Sequence, residues 1–388
     1  MELNAVIKMI QSAAPEISAS YCIVNGAIMN LIELEKMGYN EFSLRSKVNM
    51  PLKLYKYFPN KIVQIEDEAT GKTQDVNYSI QALKNNTVYM QSPSCFDDVY
   101  DSDIHINYED YVKLKLLDYC ERCNLNVNST MLTQELGDAL LQHIGKCFNS
   151  TGQFDDIFVK KTASEAEKLS NKIFLISLRN EIIKDGDWST AIGRVISDEY
   201  NDYTKSLQNT FRATCFATTP YSQLMWGGAY ADCHRGFCLE YTVLPKDPQY
   251  RSIFLNLFPM IYCKTRPDMT EKLVRLQYKE ITHEDLWNIY FHGALRKSID
   301  WAYQNEWRLL LPLQRNGTAV DYNIPFFPIT KVYLGNRMLP GARKEIIEIC
   351  HDKNIPYVGV TRNPNIFEMQ ECPVQCENCP NYISKANQ

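Results

Sequence analysis

The stretch LMWGGAYADCHRGFCLEY, Leu224–Tyr241, decides how the chain is read, together with NEWRLLLP at Asn305–Pro312. The first packs Trp226, a Gly227-Gly228 pair, Tyr230, Asp232, His234 and Arg235 ahead of an apolar run, RGFCLEYTV, that has strand character. The second sets Glu306 and Arg308 at the mouth of another apolar strand. Residues i and i+2 of a strand share a face, so Glu306 and Arg308 can line one pocket or form a surface pair; the spacing allows both. The two stretches are expected to form opposite walls of one site. The Gly pair permits close backbone approach to a ligand. It is not a phosphate loop, because neither GxGxxG nor GxxxxGK[ST] is present. Cys233 and His234 are a weak nucleophile–base pair, since sequence neighbours seldom point together.

Working outward, Leu52–Pro59 (LKLYKYFP), Lys61–Asp67 and Thr87–Pro93 read as strands, and Asp75–Asn86 as a short helix. Phe211–Ala217, Phe258–Lys264, Ile329–Gly335 and residues 356–360 supply further strands. Glu271–Ser298 and residues 341–354 have helical spacing. Residues 108–210 carry apolar residues three and four apart, interrupted near Gly186, where Asp187 or Ser189 can cap the next helix. The expected fold is α+β: a β-rich core of two small packed sheets with large helical insertions. The expected organisation is a helical cap over 1–50, core over 51–107, a helical insertion over 108–210, core again over 211–360, and a Cys-containing tail over 361–388.

Charge bounds the partners. The chain of 388 residues has 41 Lys+Arg against 46 Asp+Glu, so there is no general electrostatic case for nucleic acid. No segment approaches the ~18 apolar residues of a membrane span. The N-terminal apolar run is broken by Lys8 and Gln11 and makes a poor signal peptide, so a cytoplasmic protein without a membrane partner is expected. The 13 cysteines then read as thiols or metal ligands. Cys372, Cys376 and Cys379 have the spacing of half a structural zinc site, with Cys350 or His351 as a candidate fourth ligand; unliganded thiols fit equally. Asp97, Asp98, Asp101 and Asp103 lack the glycine and final Glu of a calcium loop and are read as a solvated acidic loop.

Five motifs occur in a fixed order: LYKYFP, NNTVYMQSPSCFDDVYD, CFATTPYSQLMWGGAYADCHRGFCLEY, WAYQNEWRL and ITKVYLGNR. In that order they resemble the bacterial family catalogued as domain of unknown function 2971, over about Leu52–Gly335. The family's Asn-Asp-Pro is replaced by Asp97-Asp98-Val99, and the residues after its Met-Trp by Gly227-Gly228-Ala229. Members of that family occur in bacterial defence and mobile-element settings. A more distant resemblance, to the ADP-ribosyltransferase fold, implies a first-strand position at Tyr55–Tyr57, a second at Tyr89–Ser92 and a Glu at Glu306. Lys56 stands where those enzymes carry His or Arg. The resemblance implies an NAD-utilising effector, by ADP-ribosyl transfer or NAD hydrolysis, with Glu306 catalytic. Tyr55, Lys56, Tyr57, Ser92, Phe96, Trp226, Tyr230, His234, Arg235 and Arg308 would hold the cofactor. Partners implied are NAD or a nucleotide-like small molecule, a macromolecular acceptor, and a second copy or a defence-system protein. Two alternatives stand beside it. One is a non-catalytic nucleotide sensor using the same pocket. The other is a metal-dependent nuclease on Asp97, Asp98, Asp101, Glu306 and His234.

Overall fold

The computed structural model describes residues 20–66, 71–151, 153, 165–276, 291–312 and 321–374. The fold is α+β with several small sheets. It divides into two compact units. One comprises Met1–Ser102, Gln208–Thr265 and Ala294–Gln388; the other, Asp103–Leu207 and Arg266–Gly293.

The first unit carries all the described strands. In chain order these are β1 (Tyr21–Val24), β2 (Ala27–Asn30), β3 (Lys53–Phe58), β4 (Val63–Glu66), β5 (Thr73–Val76), β6 (Thr87–Met90), β7 (Phe211–Phe216) and β8 (Phe237–Thr242). They continue with β9 (Leu257–Pro259), β10 (Ile261–Cys263), β11 (Arg296–Ser298), β12 (Trp307–Pro312), β13 (Tyr322–Pro325), β14 (Ile329–Leu334), β15 (Tyr357–Arg362) and β16 (Met369–Glu371). The five-stranded sheet runs β16-β15-β14-β8-β3, the four-stranded sheet β11-β10-β1-β2, and the three-stranded sheet β7-β12-β9. Isolated bridges, Tyr55 to Ala217 and Gln91 to Ala213, tie β3 and the end of β6 to β7.

Strand alternation explains which side chains reach the core. In β8, Phe237, Leu239 and Tyr241 enter the main apolar cluster, which also holds Leu54, Phe58, Trp307 and Leu309. Cys238 points the other way, into a second cluster with Tyr55, Tyr57, Trp226 and Tyr333. On β3, Lys56 shares the face of Leu54 and Phe58; on β12, Arg308 lies opposite to Trp307 and Leu309. Helix Tyr78–Asn85 is capped by Asn77, whose side chain accepts from the Ile80 amide, and it packs Ile80 and Leu83 against the main core.

The second unit is built of helices Tyr108–Arg122, Thr133–Lys146, Glu165–Asp185, Thr270–Leu276 and most of Trp188–Thr210. Asp187 accepts from the Thr190 amide and hydroxyl, which makes it the cap expected there. Lys115, fully buried, pairs with Glu199 at 2.8 Å.

Several segments differ from expectation: Asp75 and Val76, expected at the start of a helix, belong to β5, and the expected tail contributes β16. Residues 21–30, expected to be helical, form the β1–β2 hairpin. Its turn is Asn25-Gly26, both at positive φ (48° and 76°), the conformation a two-residue hairpin turn requires. The apolar spacing around it mimicked a helical face. Arg296–Ser298, expected at the end of a helix, is β11, paired parallel with β10. Residues 1–19 of the expected helical cap lie outside the described residues, as do residues 277–290 of the expected Glu271–Ser298 helix.

Candidate functional site

A cavity of about 720 Å³ opens in the first unit between β3, β7, the Tyr78–Asn85 helix and the segments around Phe96 and Glu306. That volume suits a nucleotide-sized ligand. Its floor is ionic. Glu306 is 5% exposed and Arg308 and Asp101 are buried. The Arg308 guanidinium donates to both oxygens of Asp101 at 2.7 Å and 2.7 Å, and through Nε to Glu306 Oε1 at 2.9 Å. It also donates to the Ala294 carbonyl at 2.8 Å. Lys297 Nζ lies 3.4 Å from Glu306 Oε2 and 3.8 Å from Asp101 Oδ2, and donates to Gln304 Oε1 at 3.0 Å. Two cations and two carboxylates thus neutralise each other. The geometry follows from β12: a fully buried arginine in an apolar strand is tolerable only when its fork is paired.

Electrostatics set the protonation states. Burial pushes the Glu306 carboxyl up, but the charges of Arg308 and Lys297 outweigh it and hold it down near 2. A carboxylate of that strength is a poor proton acceptor and a durable negative charge. Burial, with help from Glu306, pushes the Cys215 thiol up to about 12, so it stays protonated. Cys215 is the direct cross-strand partner of Arg308.

Lys56 is different. Its amine donates to Thr214 Oγ1 at 2.8 Å and to the Cys215 carbonyl at 3.1 Å, both uncharged oxygens. It lies 5.5 Å from the centre of the Phe216 ring and 5.9 Å from that of Phe58. Burial depresses its pKa, although Cys215 and Glu306 oppose the shift. The remaining walls carry Phe96, Tyr78, Tyr89, Tyr230, Trp301 and several amides. The guanidinium carbon of Arg308 sits 5.0 Å from the centre of the Phe96 ring. Tyr230 accepts from Gln304 Nε2 at 2.8 Å.

Of the residues singled out in the sequence, Tyr55, Lys56, Tyr57, Phe96, Tyr230, Glu306 and Arg308 line this cavity; Ser92, Trp226, His234 and Arg235 are not in its lining. Tyr55 and Tyr57 direct their rings into the second cluster: Tyr57 lies edge-on to Trp226, and its hydroxyl donates to the Thr219 carbonyl. Ser92 bonds Ser94 and the Gln208 carbonyl.

The opening stretch proves architectural. Trp226 is fully buried, donates to the Pro220 carbonyl at 2.7 Å and stacks on His234. Asp232, Cys233 and His234 all have positive φ (48°, 53° and 69°), a run that L-residues rarely adopt. Amides of this turn bond back to Ala229, Gly228 and Trp226. Arg235 is exposed and pairs with Asp232 at 3.0 Å. The turn presses against Gly335, where an added Cβ would come within 2.2 Å of the His234 carbonyl.

The expected solvated acidic loop is overturned at Asp101, which is 2% exposed and carries one side of the ion network. Sequence reasoning missed Lys297 and Cys215, and read Asp101 only as part of the acidic loop and of the nuclease alternative. The one available signal was Arg308 itself, whose buried fork calls for more than one carboxylate. No group of three or more His, Cys, Asp or Glu able to hold a metal occurs among the described residues. Asp101 and Glu306, ligands in the nuclease alternative, are spent on Arg308 and Lys297. Cys372 is free, and Cys376 and Cys379 lie outside the described residues. Cys350, a candidate fourth zinc ligand, is buried in the main core, and His351 bonds the Tyr357 hydroxyl. No helix among the described residues is long and apolar enough to cross a membrane.

The family model described as "Protein of unknown function (DUF2971)" matches residues 225–309. This is the family whose motifs the sequence resembles, and the matched segment contains Trp226, Tyr230, Lys297, Glu306 and Arg308. No curated protein and no solved structure gives a significant match.

Proposed function

We propose that the cavity binds an NAD-class nucleotide and that Glu306 assists cleavage of its nicotinamide–ribose bond, with transfer to water or to an acceptor group. The observation that carries this is the Glu306 carboxylate, buried on the cavity floor and held ionised by Arg308 and Lys297. In the reaction the C1′–N bond breaks, nicotinamide leaves with the bonding electrons, and positive charge develops on the ribosyl ring. A fixed negative charge stabilises that state without reorganising. Water or the acceptor then adds at C1′ and releases its proton to solvent. A role in bacterial defence rests on the family resemblance.

The same ion pairs favour a second reading, binding without turnover. Both Glu306 oxygens already have cationic partners, Arg308 at 2.9 Å and Lys297 at 3.4 Å, which offsets the charge offered to a ligand. Incubation of the protein with NAD, followed by mass spectrometry, separates the two. Turnover predicts free nicotinamide from the wild type and none from Glu306→Gln. Glu306→Asp keeps the charge while withdrawing it by one methylene, so it separates lost chemistry from lost fold. A thermal shift with NAD but no product supports the sensor reading. Equal product from wild type and folded Glu306→Gln refutes the role of Glu306.

A further inference from the structure

Lys56, Lys297 and Arg308 line the cavity with Asp97, Asp98, Asp101 and Glu306, and they are not all paired. Arg308 and Lys297 are spent on Asp101 and Glu306. Lys56 is half-buried on the same lining, and no carboxylate pairs with it within 4.0 Å among the described residues. Its only polar contacts there are the Thr214 hydroxyl and the Cys215 carbonyl. An ammonium on a cavity wall with no carboxylate in contact among the described residues, and Glu306 acting on it only from a distance, is costly to withdraw from water unless a ligand supplies a charge beside it.

We propose that Lys56 and Thr214 form the anion subsite of the cavity, that they take a phosphoryl group of the ligand, and that capture is accompanied by uptake of a proton. The donor chemistry selects the class. A lysine is a point charge and a threonine a single rotatable hydroxyl, and together they suit a tetrahedral phosphoryl oxygen. The planar fork that matches a carboxylate is that of Arg308, which is occupied by Asp101. The inference rests on the ligand being a nucleotide.

Proton coupling follows from the surroundings. Burial lowers the pKa of the Lys56 amine. Glu306, from the start of β12, and Cys215, from β7, are the groups that act on it electrostatically. Asp97, Asp98 and Asp101 line the same cavity from the loop after β6, and Glu240 on β8 is turned away, bonded to Lys53, Thr330 and Tyr333. A phosphoryl oxygen beside the amine raises that lowered pKa, so binding is coupled to proton uptake and weakens as pH rises through the amine's range.

The test is titration calorimetry of the full chain with ADP-ribose, in two buffers of different ionisation enthalpy and neither containing phosphate. The wild type should bind with proton uptake, seen as a buffer-dependent heat. Lys56→Met should weaken ADP-ribose at least tenfold. Lys56→Arg, which stays charged at every accessible pH, should bind within about threefold of wild type and show no proton uptake. Circular dichroism confirms that each variant is folded. Unchanged affinity in Lys56→Met overturns the subsite, and proton uptake that survives in Lys56→Arg overturns the coupling. ADP-ribose binding with the expected uptake, alongside intact NAD, defeats the cleavage reading alone. NAD cleaved equally well by wild type and Lys56→Met defeats the subsite alone.

Discussion

Replacing Glu306 with Gln removes one carboxylate from the four-membered ion network and leaves Arg308 and Lys297 facing Asp101 alone. The cost can be worked from the structure. Moving a carboxyl from its ordinary 4.5 to about 2 corresponds to roughly 3 kcal/mol of folding free energy at neutral pH. Unpairing a buried ion usually costs ~3–5 kcal/mol, out of a total stability of ~5–15 kcal/mol. At ~2–4 °C per kcal/mol, the melting temperature should fall by roughly 6–20 °C. The pH dependence has a definite sign. The folded-state value is depressed, so the stabilisation is present above 4.5 and disappears as pH falls towards 2. Roughly 1.4 kcal/mol of it is gone by pH 3.5. Urea denaturation of wild type and Glu306→Gln at pH 7 and pH 3.5 measures this directly. The stability gap between the two proteins should narrow by about that amount on acidification. A gap that is constant with pH, or a Glu306→Gln protein as stable as wild type at pH 7, refutes the ion-network account.

Three further outcomes follow from other sites. Lys47 is held near pH 7 by burial alone, its amine bonded to the Leu257 carbonyl and placed 4.2 Å from the Phe258 ring centre. Its depressed value penalises the folded state below pH 10.5 and most fully below 7, so stability should rise from pH 7 to 10. Lys47→Met should therefore be more stable than wild type at pH 7 and should show a smaller rise; a less stable variant contradicts this. Gly335→Ala would push a Cβ to 2.2 Å from the His234 carbonyl and 2.6 Å from that of Gly236, and should cost ~1–3 kcal/mol or more in a chemical melt. Alkylation by iodoacetamide at pH 8 should mark the exposed Cys95 and Cys233 within minutes and spare Cys215, whose thiol is pushed up to about 12 and stays protonated; rapid labelling of Cys215 by peptide mass mapping would refute that raised value.

Local signals carried most of the element assignments. β3, β7, β8, β12 and β14 are legible because each is a short apolar or aromatic run bounded by turn residues. The helices are legible through periodicity and through a cap such as Asp187, which acts within three residues of itself. The Asn25-Gly26 hairpin was equally local and was outweighed by apolar spacing that happened to fit a helix. The density of unusual residues in Leu224–Tyr241 was visible too, but its meaning was not. Trp226, His234 and Arg235 look chemical in a line of text. They are committed to a left-handed turn that closes on Gly236 and Gly335.

The sequence alone determined that the protein is α+β, which of the apolar runs around the site are strands, and that Glu306 and Arg308, two residues apart at the start of β12, can face the same way, because these depend on residues a few positions apart. It could not determine who answers their charges. Asp101 meets Arg308 across 207 positions of chain, and Lys297 arrives on β11. Lys56 ends beside Thr214, 158 positions away, with no carboxylate paired to it among the described residues. A charge's state in a protein depends on burial and on neighbours within a few ångströms, and only the folded chain decides which distant residues those neighbours are.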